Sequence, residues 1–223
     1  MALYLPDAAQ ARLAAPAAGR APPAPAGQVR AALLRRDNMR HRRTIQAAYL
    51  AGIRNAKHEI VLANAYFLPG LTLRRSLLAA AARGVRVIIL VQGRIDQALL
   101  HYATRVLYRP LLEAGAEIHE YTAGFMHAKV AVVDRRWLTV GSSNIDPLSL
   151  LAAREANIVA LDAPLAEQLR ADIQRHIEED AQQVFAHHLS KAPWWRRSLP
   201  WLAYQMVRGL LGLTGYGARE YRE

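Results

Sequence analysis

Four side chains able to handle a phosphoryl group fall within eighteen residues of one another: His127, Lys129, Ser142 and Asn144. His127 and Lys129 stand two apart, and the apolar residues Ala128, Val130 and Val132 alternate with them. A strand through FMHAKVAVVD therefore presents imidazole and ammonium on one face and gives the other face to the core. Asp134 and the arginines after it read as a turn, Trp137 to Val140 as a second strand, and Gly141-Ser142-Ser143-Asn144 as its exit. An imidazole whose ordinary pKa is about 6.5 is mostly uncharged at pH 7 and can attack phosphorus or pass protons. Lys129, Ser142 and Asn144 supply donors for the charge that develops on phosphoryl oxygens, where one preorganised donor is worth roughly 100- to 1000-fold in rate. The group needs no metal and no other cofactor. Ser143 reads as scaffold.

At these positions the chain resembles the phospholipase D superfamily, whose pattern H-x-K-x4-D-x6-G-S-x-N is met without a gap by His127, Lys129, Asp134, Gly141, Ser142 and Asn144. The resemblance implies a covalent phosphohistidine mechanism, with a glutamate on the following strand orienting the histidine; Glu155 stands where that residue is expected. It also counts Asp134 with the catalytic set, although in the family that aspartate is largely a structural partner and here it suits an ion-pairing or turn-forming role. The surrounding text, RRDN near Arg36, ANAYFLPG from Ala63, RGVRVIILVQG from Arg83 and EAN from Glu155, is similar to the C-terminal half of bacterial cardiolipin synthases of the B type. The similarity runs from about Arg35 to Trp195 and departs at Ala153 and Arg154, where those enzymes usually carry an asparagine and an apolar residue. An arginine beside Glu155 could pair with it and so compete with its hold on His127.

Composition supports one domain with appendages: 223 residues, 52% of them apolar, and no cysteine for disulfides or thiolate metal sites. The net charge of +11 is unevenly spread. Residues 1–43 carry eight arginines against two aspartates, and residues 191–223 carry six Lys or Arg against two glutamates, so the middle is almost neutral. Basic ends suit an anionic lipid surface, at about 1 kcal/mol per basic side chain near it. They suit a nucleic-acid groove poorly.

Residues 1–29, rich in Ala and Pro, read as a disordered linker with no signal-peptide pattern. Residues 30–190 read as the phosphodiesterase domain. Asp37 or Asn38 is expected to cap a helix through Ile45, Tyr49 and Ile53. EIVLANAY and VRVIILVQG are buried strands, helices run from about Leu73 to Ala82 and from Ala98 to Ala114, and AEIHEY leads into the motif. A long amphipathic helix follows from about Pro164 to His188. This order predicts an α/β fold, a mixed-sheet sandwich flanked by helices, holding a single catalytic motif. Residues 191–223 combine tryptophans, arginines and an apolar run too short to span a bilayer, which predicts an amphipathic tail in the headgroup region.

The superfamily reaction uses two such motifs, and none of the seven other histidines here has a lysine two positions later. The expected partners are phospholipid substrates of the phosphatidylglycerol type, an anionic membrane surface, and a second motif from a dimer mate or a companion chain. The expected location is the cytoplasmic side of the bacterial inner membrane, held peripherally. The rival expectations are a homodimeric phosphodiesterase acting on nucleic acid, and an inactive domain that binds membrane or a partner.

Overall fold

The computed structural model describes residues 29–190 and 194–213; almost all of the expected linker and the last ten residues lie outside them. Among the described residues, eight strands form one mixed sheet: β1 (Arg30–Arg36), β2 (Glu59–Asn64), β3 (Arg86–Gln92), β4 (Glu117–Tyr121), β5 (Lys129–Val133), β6 (Trp137–Gly141), β7 (Glu155–Leu161) and β8 (Ala181–Val184). Their order across the sheet is β1-β7-β6-β5-β2-β3-β4-β8. Strands β2, β3 and β4 are parallel, and the remaining pairings are antiparallel. The expected mixed-sheet α/β architecture is what the chain adopts.

The helices are α1 (Thr44–Asn55), α2 (Leu71–Ala82), α3 (Ala98–Arg105), α4 (Tyr108–Glu113), α5 (Pro147–Leu151), α6 (Ala163–Asp180), α7 (Ala186–Ser190) and α8 (Trp194–Leu213). One sheet face packs Ile60, Leu62, Val87, Ile89, Ala131, Val133 and Val159 against apolar residues of α1, α2, α3 and α8. The other packs Val61, Ile88, Leu90, Val132 and Leu138 under Ala166, Ile173 and Ile177 of α6. With both faces covered, β2 and β3 are apolar at nearly every position, as parallel central strands require. Helix α6 does not reach the whole of its face. Leu33, Ile158 and Val140, which stand opposite one another across β1, β7 and β6, remain exposed.

Several boundaries differ from the sequence reading, each for a local reason. Asp37 caps no long helix: its carboxylate accepts from the backbone N–H groups of Met39, Arg40 and His41 at 2.8–2.9 Å, and α1 begins only at Thr44. The expected helix from Ala98 to Ala114 is two helices. Pro110 lacks the N–H that would bond the carbonyl of Val106, and its ring crowds that carbonyl, so the first helix stops at Arg105. Helix α6 ends at Asp180 rather than His188, because the next four residues pair with the open edge of β4. Gly84 and Gly115 close α2 and α4 at φ +83° and +91°, a left-handed conformation that suits glycine. No described helix is long and apolar enough to cross a membrane.

Candidate functional site

The sheet gathers the motif, all but Asp134, at one end. Lys129 opens β5 opposite Asn64, the last residue of β2; Gly141 closes β6 opposite Asn157 of β7; and Glu155 opens β7 opposite Arg36, the last residue of β1. Strand pairing thus brings together residues far apart in the chain, at the end of the sheet where the parallel strands β2 and β3 finish.

His127 lies two residues before β5, in the segment that crosses from β4, and not inside a strand as the alternation had implied. The crossing is pinned on both sides of it. The amide of Met126 donates to the Gln92 side-chain oxygen at 2.7 Å, and the amide of Ala65 donates to the Ala128 carbonyl at 2.9 Å. The imidazole itself is exposed and makes no hydrogen bond to the described residues.

Lys129 is buried, with 6% of its surface accessible. Its ammonium donates to the carbonyl oxygen of His127 at 2.9 Å, so the lysine also fixes the backbone that carries the imidazole. Burial pushes its pKa below the usual lysine range, against the opposing pull of the Glu155 and Asp146 carboxylates. A cation held near two carboxylates and behind an exposed imidazole is a ready counter-charge for a phosphoryl group.

The hydroxyl of Ser142 donates to Glu155 and accepts from the amide of Ala156 at 3.0 Å, locking the exit of β6 to the start of β7. Glu155 therefore engages Ser142 rather than His127 directly. No ion pair joins it to Arg154 among the described residues, so the expected competition is not made. Asn144 is buried, and its side-chain oxygen accepts from the amide of Tyr66 at 3.4 Å. Ser143 is fully buried, and its amide donates to the Asn157 side-chain oxygen at 3.3 Å.

Gly141 has a packing reason. A Cβ there would lie 2.3 Å from the Asn157 side chain and 2.5 Å from the Ala156 carbonyl. Three further residues shape the site without belonging to the pattern. Asn157 also donates to the Thr139 hydroxyl at 3.1 Å, Asn64 accepts from the amide of Ile145 at 2.9 Å, and Asp146 caps α5 through the amide of Ser149 at 3.0 Å. The sequence text contained them, but only the pairing of strands reveals what they touch.

Asp134 is held apart from this group, at the opposite end of β5. It lies in the turn to β6 with φ +50°, followed by Arg135 at φ +51°. Its carboxylate accepts from the amides of Lys57, His58 and Glu59 at 2.8–3.0 Å and so ties that turn to the start of β2.

The family model described as "Cardiolipin synthase, PLD-like domain" matches residues 49–177, over half of the sequence. The chain belongs to this phospholipase D-like family. It is 40% identical to cardiolipin synthase B of Salmonella typhi and 38% identical to cardiolipin synthase B of Escherichia coli strain K12, in each case over 190 residues. Those matches take in 85% of this chain and 46% of each relative, so the chain spans about half the length of the curated relatives it matches. Among solved structures, the phospholipase D family member Nuc from Salmonella typhimurium superposes with a TM-score of 0.60 at 19% identity, covering 70% of this chain and 99% of that one. The phosphatidylserine synthase of Haemophilus influenzae gives 0.60 at 14% identity, covering 83% of this chain and 46% of that one. The phospholipase D-like fold is common to all three.

Proposed function

We propose that this chain supplies one catalytic half-site of a phosphatidyltransferase, cardiolipin synthase-like, acting on phospholipid phosphodiesters through a phosphohistidine. The observation that carries the reading is the unbroken motif, with His127, Lys129, Ser142, Asn144 and Glu155 collected at one end of the sheet around a pinned, exposed imidazole.

In the first step the ring nitrogen of His127 attacks phosphorus. An N–P bond forms, the P–O bond to the leaving alcohol breaks, and that alcohol takes its proton from an acid on a second motif. In the second step an acceptor hydroxyl, such as that of phosphatidylglycerol, gives its proton to the same group and attacks phosphorus. The N–P bond breaks and the imidazole is free again. Phosphatidylglycerol as acceptor yields cardiolipin, and water yields phosphatidic acid. The Lys129 ammonium and the Asn144 amide balance charge on the phosphoryl oxygens, while Glu155 acts through Ser142 to hold the strand exits.

The second motif comes from another domain, a second copy or a companion chain, since this sequence holds one H-x-K. The uncovered row Leu33, Ile158 and Val140 supports such a neighbour, because it offers apolar surface close to the site. The basic ends support work at the anionic cytoplasmic face of the bacterial inner membrane, with peripheral attachment.

The test is phosphatidylglycerol turnover in vesicles, followed by mass spectrometry of the lipids, with the protein alone and with a first-motif polypeptide added. His127→Ala abolishes turnover in whichever arm is active. Unchanged turnover discards the mechanism, and metal-free cleavage of DNA with no lipid turnover selects the nuclease reading instead.

A further inference from the structure

Helix α8 is apolar around more of its circumference than the domain uses. Ala203, Val207 and Leu211 are buried in the main core, where α8 packs along α3. At 100° per residue, Leu199, Leu202, Met206 and Leu210 form a neighbouring strip, and all four are 41–59% exposed. The strip runs for about 16 Å along the helix. Residues 191–213 carry four cations, Lys191, Arg196, Arg197 and Arg208, and no carboxylate. An apolar strip in a segment of one charge sign fits a surface that is apolar inside and anionic outside.

We propose that the Leu199-Leu202-Met206-Leu210 strip of α8 is the element by which this domain docks on an anionic lipid bilayer, lying flat in the headgroup region with the strip turned to the acyl chains. The placement bears on the site. Helix α3, on which α8 rests, lines a cleft with Tyr66, whose amide meets Asn144. Packed helices stand about 8–10 Å apart, so a bilayer under α8 lies roughly one helix away from that cleft. Docking by this strip therefore brings the motif end of the sheet to the phosphodiesters of the lipids. Where the lipids are the substrate this inference rests on the function proposed above, but binding itself does not.

The chain has no cysteine, so single-cysteine labels report cleanly. Leu202→Cys and Gln205→Cys, each carrying an environment-sensitive fluorophore, are mixed with phosphatidylcholine vesicles with or without phosphatidylglycerol. The label at 202 brightens with the anionic vesicles and the one at 205 does not. Leu202→Glu combined with Met206→Glu lowers partitioning to anionic vesicles about tenfold or more, with the thermal melt unchanged and turnover of a short-chain, water-soluble phosphodiester retained in whichever arm, alone or with a first-motif polypeptide, is active. Loss of turnover on the soluble substrate by His127→Ala alone keeps the two proposals separable. Partitioning that the double variant leaves intact overturns the docking proposal. So does a 202 label that responds to protein concentration without vesicles, which marks self-association, or one that responds only to a first-motif polypeptide.

Discussion

The two ends of β5 carry members of the same six-position pattern and are built in opposite ways. At the Asp134 end both carboxylates are answered: that of Asp134 takes three backbone amides, and Glu59 beside it is gripped by Arg135 and Arg170 at 3.0 Å each. At the His127 end an imidazole stands exposed with no partner among the described residues, and the ammonium of Lys129 behind it is buried. A motif that reads as one site in sequence folds as an anchor and an exposed imidazole, about five residues of strand apart. The anchor end ties the turn to the start of β2, and the open end leaves the imidazole unbonded to any described residue.

The comparison is sharpest at Lys129. Lys129→Met keeps the packing and removes the charge, and turnover of the phosphodiester drops roughly 100- to 1000-fold while the melting temperature moves little. A melt that collapses with turnover would make the lysine an anchor too. Asp134→Ala is the mirror case. It unpairs three amides, of which those of Lys57 and His58 are in exposed residues that water can reach, and costs about 2 kcal/mol by denaturant titration, with the rate per folded molecule nearly unchanged.

Acid and alkali separate the ends as well. Burial pushes the Glu59 carboxyl up, but Arg170 and Arg135 outweigh it and hold the group below its ordinary value. Its contribution to stability is thus present above the unfolded carboxylate range near 4.3 and is lost as pH falls through the lower folded value, which melts at low pH will show and Glu59→Gln will flatten. Because burial lowers the pKa of Lys129, its charge is lost at a lower pH than that of a free lysine. The alkaline limb of the turnover profile therefore falls early, and Lys129→Arg moves it upward if the arginine is accommodated.

Much of this was legible before any coordinates. β2 and β3 are runs of apolar, mostly branched residues that allow little but a central strand, and the fixed spacings of the motif picked out His127, Lys129, Ser142 and Asn144, which the fold gathers at one end of the sheet. What was hidden depends on pairing at long range. The strand RAALLRR is short, flanked by arginines and, among the described residues, held from one side by β7 alone, so no local period exposes it. AQQV becomes strand β8 because β4 offers it an edge. The need for glycine at 141 comes from Asn157, sixteen positions on, and the lysine's hold on the His127 carbonyl depends on the bend ahead of β5 rather than on alternation.

The direction of β1 has a practical consequence. The strand starts at Arg30, across from Leu161, and reaches the motif end only at Arg36. Any module fused ahead of Arg30 therefore joins the sheet at the remote end, about 20 Å along the strand from the motif end and three strands across from β5. A tether that ignores this span gives a near-zero effective concentration, and one matched to it gives the highest, so activity across a series of linker lengths would rise to an optimum and then decline slowly.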